Sequence, residues 1–487
     1  MRGTELAVNR RHFMTTAAAV GGAVLLAPPG TAEALTGAAQ TGGTGLPDYR
    51  PTKASLDTHP VPRWYKDAKF GIFVHWGIYS VIAGATPRSA SEWYLWYQST
   101  KDTAEWKYHR DTYGEDVTYD DLIPQFKAEK YDPDSWVRLF EQAGAEYFAL
   151  TSKHHDGFAL YPSKVTDRHS VAYGPKRDLV GELMAAARRR GTVRPGLYYS
   201  LGEYFNPAIG RPMRNFYTDK EIPMTGYKPV KDYVGDYELQ QLYEIIDSYD
   251  PELLWADGQW FRPTDNPPWR SEEPMAHYYN RAKNRKHPKG VVINDRFDTH
   301  FDFATYEQRT NPTMDPQKWE CCMTMGYSWG YNKHEPDEDY KTSEFLIHLL
   351  ADVVSKNGNL LLNIGPRPDG TIPAIMQERL RDIGAWLKVN GPAIYGSTPW
   401  VRAEEEGSPL GIRYTVSPGT FNIIVLGRPD GTLSVPGDIP VSATSRIRLL
   451  GTGGSLRWTR RDGRIDITVP STLPSDIANV FTVEWAR

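Results

Sequence analysis

Short apolar runs in this chain repeatedly end in residues that can do chemistry. FGIFVHWG closes near His75, YFALTSKHHDG closes on His154, His155 and Asp156, and RPGLYYSLGEY carries Tyr198, Tyr199 and Glu203. ELLWADGQW closes on Asp257, and GVVINDRFD closes on Asp295 and Arg296. Each run has the length of a buried strand, and helical patterns separate most of them. Strands alternating with helices specify a parallel α/β sheet. If that sheet closes into a barrel, these side chains gather at the C-terminal ends of its strands, where such barrels carry their active sites. A purely structural chain has no reason to load one end of its strands with His, Asp, Arg and Tyr.

At 487 residues the chain exceeds one ordinary core, so two domains are expected. Helix signals fall between the strands. Asp132-Pro133 starts one helix, and Gly191 stops another that carries Leu179, Leu183, Met184 and Ala187. After about Pro399 the pattern changes to alternating segments, IRYTVS, FNIIVLG, RIRLL and RIDITV, split by Gly, Pro and Asp. That is the signature of an antiparallel β-sandwich. The expected fold is therefore α/β, a (β/α)8-like TIM barrel over residues 61–397 followed by a C-terminal antiparallel β-sandwich over 398–487. Residues 35–60, rich in Gly, Thr and Pro, read as a linker, and the polar and aromatic stretch 98–121 reads as a long loop over the barrel mouth.

Residues 1–34 stand apart. Asn9-Arg10-Arg11-His12-Phe13-Met14 is similar to a twin-arginine export motif, TTAAAVGGAVLLAPP follows, and Ala32-Glu33-Ala34 fits a cleavage site. A secreted bacterial protein is expected. The apolar run is too short to span a bilayer comfortably, so no membrane partner is expected. The formal net charge of -4 shows no excess of Lys and Arg and argues against a nucleic-acid partner. The adjacent Cys321 and Cys322 cannot easily reach disulfide geometry and read as strand residues near the site. A homo-oligomer is left open.

The motifs together resemble the retaining α-L-fucosidases of glycoside hydrolase family 29, leaning toward the broad-specificity branch. The matching stretches are WYKDAKFGIFVHWGIYSV, SEWY, TSKHHDGFALY, RDLVGEL, GLYYSLGEYFNP, ELLWADGQW, VVINDR, KWE, YSWGYN and NLLLNIGPRPDGTIP, in order over roughly residues 64 to 395. The resemblance implies a catalytic barrel with a β-sandwich behind it, and release of L-fucose from glycan ends through a covalent fucosyl-enzyme. It implies no cofactor and no metal, and fucosylated glycans or oligosaccharides as partners.

A retaining glycosidase needs two carboxyl groups close together, one to attack the anomeric carbon and one to trade protons with the leaving oxygen and then with water. Asp257 matches the family nucleophile in W-x-D, with Gly258 allowing close approach of substrate. Glu307, in the D-F-x-T-x-E stretch, matches the acid/base; Glu320 in Lys318-Trp319-Glu320 is the alternative. His75, Glu92, Trp93, His154, His155, Tyr199 and Arg296 match positions that contact the sugar. Trp255 and Trp329 can supply apolar faces for its ring and methyl group. Three histidines and an Asp can also hold zinc, yet no H-x-x-x-H pair is present. Tyr204 stands where the broad-specificity branch has Trp in S-L-x-E-W-F, which puts a subsite beside Glu203 in question. The competing functions are a related exo-glycosidase such as an α-L-galactosidase, and a carbohydrate-binding protein without catalysis.

Overall fold

In this computed structural model residues 47–261 and 269–484 are described, so the expected export segment and residues 35–46 of the expected linker lie outside them. The first eight strands are β1 (Phe70–Val74), β2 (Tyr147–Lys153), β3 (Arg194–Ser200), β4 (Leu253–Asp257), β5 (Val292–Ile293), β6 (Ala304–Glu307), β7 (Trp319–Thr324) and β8 (Gly358–Ile364). They form one parallel sheet in the order β5-β4-β3-β2-β1-β8-β7-β6. The end strands β5 and β6 meet through one parallel bridge, Asn294 to Phe303. There the Asp302 amide donates to Ile293 O at 3.1 Å, and the Asp302 carboxylate accepts from the Ile293 amide at 2.9 Å. Those two bonds close the seam of a barrel.

Parallel strands covered on both faces are apolar throughout, which explains the unbroken runs in the sequence. The inner face carries Phe73, Ala149, Tyr198, Leu253, Trp255, Val292, Phe303, Cys322 and Leu361 in one cluster. The outer face packs against the helices. The helix Pro133–Gln142 starts where the Asp132 carboxylate accepts from the Ser135 amide, and it buries Trp136, Val137, Leu139 and Phe140. The helix Leu179–Arg190 is capped by Asp178 and ends on Gly191 at φ 67°, the left-handed turn that glycine adopts without strain. One expectation fails. The stretch 98–121 is not an open loop, because the helix Ala104–Tyr113 runs through it from a Thr103 cap. Its Trp106 and His109 are buried, with His109 Nδ1 3.1 Å from the Tyr94 hydroxyl and Tyr217 packed on the Trp106 ring. These tertiary contacts order a segment that has little apolar periodicity of its own.

The C-terminal strands are β9 (Thr398–Glu404), β10 (Gly411–Ser417), β11 (Thr420–Leu426), β12 (Thr432–Pro436), β13 (Arg446–Leu449), β14 (Trp458–Arg461), β15 (Arg464–Thr468) and β16 (Ala478–Glu484). They form two antiparallel sheets, β13-β16-β11-β10-β9 and β12-β15-β14, around their own apolar core of Tyr414, Phe421, Ile423, Ile447, Ile465 and Phe481. This sandwich is not detached. Trp386 Nε1 donates to Ala478 O at 2.9 Å, and Arg413 pairs with Asp352 at 2.6 Å.

A carboxyl group is sealed inside the barrel. Glu320 lies near the start of β7, and its oxygens accept from the Tyr65 hydroxyl at 2.9 Å, the Tyr147 hydroxyl at 2.5 Å and Trp255 Nε1 at 3.0 Å. It is fully buried at the N-terminal end of the strands, below Trp255, so the alternative acid/base is out of reach of the barrel mouth. Burial pushes its pKa up to about 7, against the three donors. The folded protein thus holds this proton more tightly than the unfolded chain. The stability it brings is complete below the ordinary value of 4.5 and is lost as pH rises toward 7. Glu320→Gln removes that slope. Between about pH 5 and about pH 8 the wild type is expected to lose about 3 kcal/mol more stability than the variant, measured by urea denaturation. Parallel profiles would contradict this.

Candidate active site

Asp257 is the last residue of β4, and Gly258 turns the chain away at φ 74°. Its Oδ1 accepts from Arg296 Nη1 at 2.8 Å, and its Oδ2 accepts from the Tyr198 hydroxyl at 2.9 Å. His155 Nε2 stands 3.5 Å from the same Oδ2. Burial opposes ionisation here. Arg296 and His155 outweigh it and hold the Asp257 carboxyl well below the usual carboxylate range. Arg296 sits in the turn after β5, and its second nitrogen Nη2 donates to Glu307 Oε2 at 3.0 Å. Glu307 ends β6 with 41% of its side chain exposed, whereas Asp257 has 10%. One guanidinium therefore spans a buried carboxylate and a second one at the solvent side. The two are no farther apart than its fork allows.

The histidines are oriented by their neighbours. Asn363 Nδ2 donates to Trp329 O at 2.6 Å, which turns Asn363 Oδ1 toward His75 Nδ1 at 2.7 Å. His75 thus donates from Nδ1 and keeps a lone pair on Nε2. Burial pushes its pKa down to about 3, so the ring is neutral. The Ser200 hydroxyl donates to Gly202 O, so His155 Nδ1 donates to Ser200 Oγ at 2.5 Å. His154 is buried, and its Nδ1 has no hydrogen-bond partner among the described residues. The donor directions of His75 and His155 are set separately, and the three rings do not form a metal-ligand cluster among the described residues. Asp156 holds their loop, accepting from the Tyr119 hydroxyl at 2.9 Å and the Phe158 amide at 3.2 Å.

Aromatic walls surround this polar set. Trp329 packs 5.0 Å from His75 and 5.8 Å from Phe73. Trp93 is half-buried, 5.6 Å from the His155 ring and 5.2 Å from Tyr204. Glu92 Oε2 accepts from Ser328 Oγ at 3.0 Å and the Gly330 amide at 3.1 Å, tying the β1 loop to the β7 loop. Trp255 lies one layer below Asp257, with the Arg296 guanidinium 4.8 Å above its ring and Tyr198 stacked at 5.7 Å. It is a floor under the carboxylate, only 1% exposed.

Two expectations are corrected. Tyr199 does not face the site: its hydroxyl lies 3.1 Å from Lys153 Nζ and donates to Gln241 Oε1 at 2.9 Å, between sheet and helices. Alternation along β3 turns Tyr198 inward in its place. Glu203 is no subsite either; it is a fully buried partner of Lys153 at 3.0 Å. A register shift in β2 between Thr151 and Lys153 rotates Lys153 to that outer side. Sequence reasoning also missed Asn363, Ser200 and Trp260. Trp260 is 45% exposed, with its ring 5.9 Å from His155, and it follows Asp257 in the D-G-Q-W stretch that was legible.

A C-terminal barrel face holding two carboxylates on one guanidinium, ringed by His and Trp, is the site of a glycoside hydrolase. The chain belongs to the α-L-fucosidase family, whose model, described as Alpha-L-fucosidase, matches residues 38–392. It is 39% identical over 453 residues to an alpha-L-fucosidase of Branchiostoma floridae, covering 90% of this chain and 95% of that protein. It is 37% identical to the tissue alpha-L-fucosidase of Homo sapiens, covering 89% and 90%. The structure of the alpha-fucosidase of Thermotoga maritima in complex with a mechanism-based inhibitor superposes with a TM-score of 0.77 at 37% identity, covering 90% of this chain and 100% of that one.

The two tyrosines separate by function. Tyr198→Phe removes a hydrogen bond to a charged group and is expected to lower kcat/KM about tenfold or more. Tyr199→Phe is expected to stay within about twofold, because its hydroxyl serves packing outside the barrel. Steady-state kinetics of both variants check this; the reverse order would show that Tyr199 reaches the substrate.

Proposed function

We propose that the protein is a retaining exo-α-L-fucosidase that removes terminal α-L-fucosyl units from glycans by double displacement. The observation that carries the reading is the Arg296 bridge between Asp257 and Glu307. Asp257, ionised and buried, attacks the anomeric carbon while Glu307 gives its proton to the leaving oxygen. Two charges change together. Asp257 becomes a neutral ester as Glu307 becomes a carboxylate. Arg296 then faces a single negative charge, on Glu307, where a base is needed to take the proton of the incoming water. Release of the ester returns the charge to Asp257 and the proton to Glu307. His75, with a lone pair on Nε2, accepts from one sugar hydroxyl, and His154 Nδ1, without a partner among the described residues, pairs with another. Trp329 and Trp93 give apolar surface to the ring and C6 methyl. The names of the relatives support this substrate, and one Thermotoga maritima structure, 37% identical, holds fucose.

We read residues 1–34 as a twin-arginine export signal and the protein as secreted. Arg10→Lys combined with Arg11→Lys is expected to retain the protein inside the cell; undiminished secretion, followed by immunoblot of cells and medium, contradicts it.

The direct test is hydrolysis of an activated aryl α-L-fucoside. Wild type is expected to release fucose, and Asp257→Ala to lose activity by at least about 1,000-fold, with azide restoring it as a fucosyl azide of inverted configuration. Glu307→Ala is expected to keep most of kcat/KM on this substrate, whose leaving group needs no proton, while kcat falls because water is no longer deprotonated, and to lose both on glycans, whose leaving oxygens need the proton. Turnover by Asp257→Ala without azide would refute the nucleophile. No hydrolysis by wild type would refute the substrate.

A further inference from the structure

At the N-terminal end of the barrel, on the seam between β5 and β6, three side chains from distant parts of the sequence converge. The ligand-capable atoms of His59, His300 and Asp302 all lie within 4.8 Å of one another. His59 Nδ1 is 2.8 Å from Asp302 Oδ1, and His300 Nε2 is 3.7 Å from the same oxygen. These side chains are 9%, 6% and 0% exposed for His59, His300 and Asp302. They line a cavity of about 680 Å³ on the face opposite the candidate active site.

We propose that this cluster is a divalent metal site that binds zinc, with His59 Nδ1, His300 Nε2 and Asp302 Oδ1 as protein ligands and an open fourth position on the cavity. Four observations carry the assignment. His300 Nε2 is buried without a hydrogen-bond partner among the described residues, which is costly for an imidazole nitrogen aimed at a carboxylate and another imidazole. His300 Nδ1 donates to Asp57 Oδ1 at 2.9 Å, which leaves Nε2 as the ring nitrogen that faces the cluster. A carboxylate behind a histidine is the arrangement that orients metal-binding imidazoles. Asp302 commits its other oxygen to the Ile293 amide at 2.9 Å and the Tyr279 hydroxyl at 2.9 Å, leaving Oδ1 to face the two histidines. The Tyr279 ring also stacks on His59 at 3.6 Å with parallel planes, fixing the third ligand.

Ligands about 2.0 Å from a tetrahedral zinc stand about 3.3 Å apart, so the three donors need only small shifts. Binding requires the His59 proton to leave Nδ1 for Nε2. Two imidazoles with one carboxylate and an open position suit zinc, with a water completing the set. Lys53, Lys66, Lys69 and Lys318 line the same cavity and limit the affinity for a bare cation. The ion would join the segment before β1 to both sides of the seam, a stabilising role independent of catalysis.

The test is titration of Zn²⁺ into the full-length protein after dialysis against a chelator, read by calorimetry and by thermal melting. One ion per chain and a zinc-dependent rise in Tm are expected. His300→Ala and, separately, His59→Ala are expected to weaken binding at least about tenfold and to abolish the rise. His59→Ala leaves the Asp302 bonds to the seam in place and serves if His300→Ala does not fold. His287→Ala, an exposed histidine elsewhere, is expected to bind as wild type does. No stoichiometric zinc in the wild type, or equal binding by both cluster variants, would overturn the site.

Discussion

The guanidinium of Arg296 between two carboxylates is the interaction on which the rest of the site depends. Alone, a carboxylate buried like Asp257 would take up a proton and cease to be a nucleophile. Arg296, His155 and the Tyr198 hydroxyl make the ionised form the stable one. Because the same guanidinium also holds Glu307, the two carboxylates are coupled. In the proposed double displacement, charge lost at one is balanced by charge gained at the other, so neither step leaves a buried cation without a counter-ion. A planar fork is needed for this, and lysine could not supply it.

The barrel is built to keep that guanidinium still. Below it lies Trp255, whose indole nitrogen is anchored to Glu320, itself held by Tyr65 and Tyr147. Thr305, on β6 between the seam and Glu307, supplies a hydroxyl 3.3 Å from Arg296 Nε. The seam is where a barrel built from short end strands is weakest, since β5 has only two residues. Asp302 spans it with backbone and side chain at once, which explains why a charged residue sits fully buried there.

Much of this was legible in the sequence, and the failures are instructive. Asp257, Glu307 and Arg296 could be found because each lies at or just past the end of a strand. Glu320 could have been set aside on the same ground, since it is the second residue of β7 and not the last. Tyr198 and Tyr199 could not be separated, because a strand covered on both faces is apolar at every position and its period of two is invisible. The shift that turns Lys153 outward toward Glu203 is a backbone irregularity without a residue signature. The helix Ala104–Tyr113 is held by Tyr94 and Tyr217 from elsewhere, information that no local window contains. His59 read as linker because its partners, His300 and Asp302, lie more than 240 positions away.

The double displacement proposed above passes through a covalent intermediate, and the stereochemistry of the product reports on it most directly. Proton NMR of the sugar first released, recorded before mutarotation, distinguishes the outcomes. With retention, α-L-fucose appears first and the β anomer only later, by equilibration. If β-L-fucose appears first, water attacks the substrate directly, and the roles given to Asp257, Glu307 and Arg296 are wrong.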